Sequence, residues 1–121
     1  MSAPRLHPEF FIRLFLNDSA MLGPGKAALL DGIARTGSIS AAGREMGMSY
    51  KRAWSLVEEM NAAFVAPLVD SSRGGAGGGG ATVTPTGLAV LRHYESLERL
   101  LTDKGAADLA AIGALMKTEE P

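Results

Sequence analysis

Between Lys26 and Phe64 the apolar positions repeat with a helical period that glycine interrupts twice. Leu29, Leu30, Ile33 and Ala34 make one stripe over Lys26–Arg35, and Gly37 ends it. Ser38 can cap a second helix through its hydroxyl, and about Ile39 to Met46 buries Ile39, Ala42, Gly43 and Met46. Gly43 has no Cβ, so a neighbouring helix can come close at that point. Gly47 supplies a turn, Met48 packs beneath it, and Ser49 can cap a third helix.

At 100° per residue the third helix is strongly two-sided. With Ala53 at zero, Leu56, Val57, Met60 and Phe64 fall within about 60°. Lys51, Arg52, Ser55, Glu58 and Glu59 fall from about 140° to 260°. The basic pair is at the amino-terminal end and the acidic pair at the other. Tyr50 and Trp54 stand towards the edge of the apolar face, where either assignment is open, and Trp54 reads as core or core-edge rather than base-stacking. Two short amphipathic helices hinged at a glycine, with cations opening the second, make a helix-turn-helix, which contacts bases through the first turns of its second helix.

The flanks extend this plan. Phe10 to Leu16 is rich in strand formers and places Ile12, Leu14 and Leu16 on one face, before Gly23-Pro24-Gly25 breaks the chain. After Pro67, two short extended runs enclose Arg73 and the glycine tract to Gly80, which predicts a hairpin with a flexible tip. Thr84-Pro85 opens a helix carrying Leu88, Leu91, Tyr94, Leu97 and Leu101 on one stripe. Gly105 is expected to break it, leaving Ala106 to Met116 as a separate short helix. The expected division is a disordered leader over 1–9, a DNA-binding domain over 10–101, and a short helix and tail over 102–121.

Composition narrows the function classes. An apolar fraction of 46% in 121 residues suits a folded domain with a modest core. The absence of cysteine excludes disulfides, thiolate metal sites and cysteine catalysis, and agrees with a cytoplasmic protein. With only His7 and His93, a histidine-built metal centre is not expected, and His93 reads as a surface residue. Neither an enzyme nor a bound cofactor is indicated, and no apolar run is long enough to span a membrane. The glycine tract lacks the Gly-Lys-[Ser/Thr] of a phosphate loop.

A formal net charge of −1 argues against sequence-independent coating of DNA. Its distribution matters more: residues 1–94 hold nine Lys and Arg against seven Asp and Glu, and residues 95–121 hold three against six. Over 35–52, Arg35, Arg44, Lys51 and Arg52 face only Glu45. Such a patch suits a specific binder that doubles its contacts by dimerising.

Four segments carry a family resemblance: Leu22-Gly-Pro-Gly, Thr36-Gly-Ser-Ile-Ser-Ala-Ala, Met48-Ser-Tyr-Lys-Arg-Ala-Trp and Gly77-Gly-Gly-Gly-Ala-Thr-Val-Thr-Pro-Thr-Gly. Together they resemble the amino-terminal DNA-binding domain of ModE-type molybdate-dependent transcription regulators, which is related to that of LysR-type regulators. The resemblance covers about Phe11 to Leu100. It implies a recognition helix at Ser49 to Trp54 and dimerisation through this domain, with Leu88–Leu101 and 106–116 contributing. Full-length members also carry carboxy-terminal oxyanion-binding domains, for which 121 residues leave no room. Molybdate sensing is therefore not carried over. The Glu-Glu-Pro ending leads us to expect a stand-alone short regulator rather than a domain separated from its sensor, with a separate sensor or effector protein as a further partner.

The expectation is an α+β winged helix-turn-helix with an N-terminal strand, a glycine-rich β-hairpin wing and C-terminal dimerisation helices. It would bind double-stranded DNA as a homodimer on a palindromic operator. Ser49, Tyr50, Lys51, Arg52 and Ser55 would face the major groove, with Ser49 serving equally as cap or phosphate ligand. Arg73 and the glycine tip would meet the backbone or minor groove, and Ser38 and Ser40 would donate to phosphates. The alternatives are a winged-helix protein-interaction module and a small oxyanion-binding protein.

Overall fold

The computed structural model describes residues 9–72 and 80–117. Four helices and two antiparallel hairpins follow in the order β1 (Leu14–Phe15), β2 (Met21–Leu22), α1 (Pro24–Thr36), α2 (Ile39–Glu45), α3 (Tyr50–Ala63), β3 (Val69–Ser72), β4 (Gly80–Val83) and α4 (Pro85–Ala114). The architecture is α+β, as the hydrophobic pattern indicated. The expected strand over Phe10–Leu16 shortens to Leu14–Phe15, which pairs with Met21–Leu22. Pro24 opens α1 at its first position, so the Gly-Pro-Gly triplet is a helix start as well as a break.

Local chemistry sets each boundary. Gly37 closes α1 in the left-handed region at φ 71, where its N–H donates to Ile33 O. Ser38 Oγ then accepts the Ala41 N–H at 3.0 Å, capping α2. Gly47 turns the chain at φ 70, and Ser49 Oγ accepts the Arg52 N–H at 3.1 Å to start α3. Thr84 Oγ1 accepts the Gly87 N–H and donates to Pro67 O, so one hydroxyl opens α4 and ties it to the chain entering β3.

The core lies where α1, α2 and α3 meet under the β3–β4 hairpin. Leu29, Leu30, Ile33, Ala53 and Leu68 have no exposed surface, and Val57, Met60 and Tyr94 have almost none. Ala34, expected in the α1 stripe, is exposed; Ala27 takes its place on the buried side. Register in the second hairpin runs from Val69 opposite Val83 to Ser72 opposite Gly80, and the buried residues of β4 alternate as Ala81 and Val83. The Ala81 N–H donates to Gly37 O, which fastens β4 to the end of α1.

The break expected at Gly105 does not occur: α4 is continuous for 30 residues. A glycine costs a helix interior only about 1 kcal/mol relative to alanine, too little to stop one this long. Here it also makes a notch, because a Cβ at Gly105 would lie 2.9 Å from the Phe10 ring. Nearer its start, α4 is tied to the same segment by Tyr94, whose hydroxyl donates to Ile12 O at 2.6 Å. Burial, and then the Glu98 carboxylate, raise the Tyr94 pKa above its ordinary value.

Among the described glycines, Gly87 is the most tightly enclosed: a Cβ there would collide with Leu68 O and come within 2.7 Å of Val83 Cγ1. Gly87→Ala is expected to lower stability by about 2–3 kcal/mol in urea unfolding followed by circular dichroism. Gly25→Ala, with nothing within 4 Å of the new methyl, should be neutral or stabilising by up to about 1 kcal/mol. Equal losses at both positions would remove close packing as the cause.

Candidate nucleic-acid interface

The first turn of α3 projects from the domain. Ser49, Tyr50, Lys51 and Arg52 are exposed, and Ser55 is half-buried one turn further on. Lys51 and Arg52 form no ion pair among the described residues. Both stand at the positive end of a 14-residue helix. The opposite side of α3 anchors it through Ala53, Leu56, Val57 and Met60, all buried as the angular pattern required. Tyr50 packs edge-on to Trp54, ring centroids 6.1 Å apart at 78°. Trp54 is half-buried against the core, which decides for the core edge between the two places expected for it.

The neighbouring cations divide into two kinds. Arg35 is not part of the open basic face as the linear count suggested: it binds Asp31 at 3.0 Å and Glu45 at 2.7 Å. Hydrogen bonds to Glu45 and then to Asp31 raise the Arg35 pKa still further, and the same contact with Glu45 lowers the pKa of that carboxyl. Arg44 has no carboxylate partner among the described residues, and its Nη1 donates to Ser40 Oγ at 2.7 Å. Ser40 is thus already engaged as an acceptor within its own helix, as Ser38 is by its cap. Each keeps its hydroxyl hydrogen for another acceptor. Arg73 and the glycine tip lie outside the described residues.

Two residues that periodicity did not single out, Lys26 and Asn61, hold α3 in place. Lys26 on α1 binds Glu59 on α3 at 3.2 Å and donates to Met21 O at 2.9 Å. Glu59, grouped with the outward carboxylates, is therefore neutralised by α1. Asn61 Oδ1 accepts the Leu68 and Val69 N–H groups, and its Nδ2 donates to Val69 O. One amide thus locks the end of α3 to Leu68 and to Val69 at the start of β3. Its polar side chain stands roughly 80° from Ala53, beside the buried stripe. That was the available signal, since a polar group there needs partners.

A capped helix, a glycine turn, a second helix opening in cations, then a two-stranded hairpin and a long helix define a winged helix-turn-helix. The chain belongs to the bacterial regulatory helix-turn-helix proteins of the lysR family, whose profile matches residues 26–88. That family is one of regulators rather than enzymes. Among similar proteins, the molybdenum-pterin-binding protein MopB of Rhodobacter capsulatus is 49% identical over 79 residues, covering 65% of this chain and 29% of that protein. The DNA-binding transcriptional dual regulator ModE of Escherichia coli (strain K12) is 36% identical over 95 residues, 78% of this chain and 36% of that one. The molybdenum transport protein ModE of Herbaspirillum seropedicae is 43% identical over 72 residues, 60% and 27% of the two chains. The chain thus spans about a third of the length of such relatives. No helix among the described residues is long and apolar enough to cross a membrane.

Asn61→Ala would strip three backbone groups of their side-chain partner. An expected loss of about 2 kcal/mol in denaturant unfolding, with faster hydrogen exchange at Leu68 and Val69, checks this role. Unchanged exchange at both amides would contradict it.

Proposed function

We propose that this chain is the DNA-reading part of a ModE-type transcription regulator. In this reading a homodimer binds a palindromic operator with the start of each α3 in the major groove. The observation that carries it is the pair Lys51 and Arg52: exposed, unpaired among the described residues, and on the first turn of the second helix of a regulatory helix-turn-helix. Ser49, Tyr50 and Ser55 complete the major-groove set. Ser38, Ser40 and Arg73 would meet the DNA backbone, Arg73 with the option of the minor groove. Half-sites would lie one helical turn of DNA, or a multiple of it, apart.

Lys51→Ala and Arg52→Ala should each weaken binding and reduce the slope of log K against log salt by about one. Arg35→Ala should leave the slope unchanged, because its charge is already held by Asp31 and Glu45. Fluorescence anisotropy titrations of a labelled duplex over a range of salt concentrations decide this. An unchanged slope in both Lys51 and Arg52 variants would take them out of the interface.

The homodimer rests on α4. Leu91 and Tyr94 are buried, whereas Leu88, Leu97 and Leu101 of the same helix are each more than a third exposed in the single chain. A two-fold contact along α4 would cover Leu97 and Leu101, which share one side of the helix. Leu97→Lys combined with Leu101→Lys is expected to convert a dimer to a monomer in sedimentation equilibrium and to weaken operator binding at least tenfold. A dimer that survives both substitutions places the contact elsewhere.

The same exposed leucines favour a second reading, a winged helix used for protein interaction, which predicts no salt-dependent affinity for duplex DNA. Molybdenum-linked genes are the proposed regulatory theme, suggested by the names of the relatives. Selecting bound fragments from genomic DNA tests that theme, and fragments drawn only from unrelated genes would remove it.

A further inference from the structure

Tyr50 is the odd residue on the presented face of α3. Its neighbours there are two cations and two hydroxyls, whereas Tyr50 offers an aromatic ring that is 57% exposed. Exposure of a large ring opposes burial energetics, and a loose ring at a helix start would also lose rotamer freedom on binding. This ring is not loose: it packs edge-on to Trp54, and Trp54 is seated against the core. Measured round the helix from Ala53, Tyr50 stands at roughly 60°, Lys51 at 160°, Ser55 at 200° and Arg52 at 260°. The face therefore runs from an apolar flank through a polar centre to a cationic flank.

Each base pair in the major groove presents donors and acceptors, and thymine alone adds a methyl group. Lys51, Arg52 and the serines can read the polar pattern or the phosphates. Among these residues only the Tyr50 ring can bury a methyl. We propose that Tyr50 is a specificity-determining residue that reads the 5-methyl group of a thymine, and that Trp54 is a positioning residue holding its ring upright. This rests on the DNA-reading role proposed above.

The test uses the full chain and a duplex selected by it from random-sequence DNA, with each thymine replaced in turn by deoxyuridine. At one thymine in each half-site the loss of the methyl should weaken binding roughly four- to tenfold. Tyr50→Ala should bind thymine and uracil duplexes equally. Tyr50→Phe should keep the discrimination, because the ring and not the hydroxyl makes the contact. Trp54→Ala should lose it while salt-dependent affinity for random duplex persists, and Trp54→Phe should restore part of it; thermal melts report whether each variant is folded. Trp54 is the sole tryptophan, so its emission should also shift when the thymine duplex binds and not in Tyr50→Ala. Operator binding indifferent to every uracil, or discrimination undiminished in Tyr50→Ala, overturns this inference alone. An equal loss in Tyr50→Phe and Tyr50→Ala overturns it in favour of the hydroxyl. Failure to bind any duplex in a salt-dependent way overturns the DNA-reading role, and this inference with it.

Discussion

Two contacts between very small side chains fix the angle at which α3 is presented. A Cβ on Gly32 of α1 would lie 2.9 Å from Ala42 Cβ of α2, and one on Gly43 of α2 would lie 3.1 Å from Ala53 Cβ of α3. The three helices are thus stacked through glycine–alanine steps, with no room for a methyl at Gly32 and only a tight fit for one at Gly43. Helix separation depends on the side chains at the contact, and here those are the smallest available. The rest of the interface depends on this spacing. Ala53 is buried because Gly43 lets it in, and its burial turns Lys51 and Arg52 outward.

The ion pairs act on the same geometry from the edges. Arg35–Glu45 joins α1 to α2, and Lys26–Glu59 joins α1 to α3. Exposed pairs like the first add little stability, since solvent screens them. Their larger effect is on the field around α3. Each neutralises one cation and one carboxylate beside the helix, leaving Lys51 and Arg52 as unpaired cations on its first turn. Asn61 completes the frame by hydrogen-bonding the far end of α3 to β3.

What could be read from the sequence followed from local rules. Ser38, Ser49 and Thr84 are caps because a hydroxyl before a helical period accepts an N–H three residues on. The buried side of α3 was legible because four apolar residues share one angular sector. What stayed hidden was non-local. Nothing in the spacing of Arg35 and Glu45 reveals that they touch, so the linear charge count overstated the open basic face. Gly105 misled for the same reason: as a local signal it weakens a helix, while in the fold it accommodates the Phe10 ring, 95 residues earlier in the chain, at the surface of an unbroken one. The expected strand at Phe10–Leu16 was cut short likewise, since Ile12 serves Tyr94 rather than a neighbouring strand.

A chain of net charge −1 can still favour DNA locally, because the charges are sorted rather than balanced point by point. The carboxylates near α3 are either paired with cations of other elements, as Glu45 and Glu59 are, or placed well along the helix, as Glu58 is. At about 1.5 Å of rise per residue, Glu58 stands roughly 10 Å beyond the Lys51 turn, comparable to the screening length at ordinary salt. Its repulsion of a phosphate at Lys51 is therefore damped, whereas the attraction at contact distance is not. That asymmetry lets one turn of a neutral domain act as a cationic surface. In the proposed DNA-reading role, sequence discrimination would fall to the short row from Tyr50 to Ser55, through shape and hydrogen bonding rather than bulk charge.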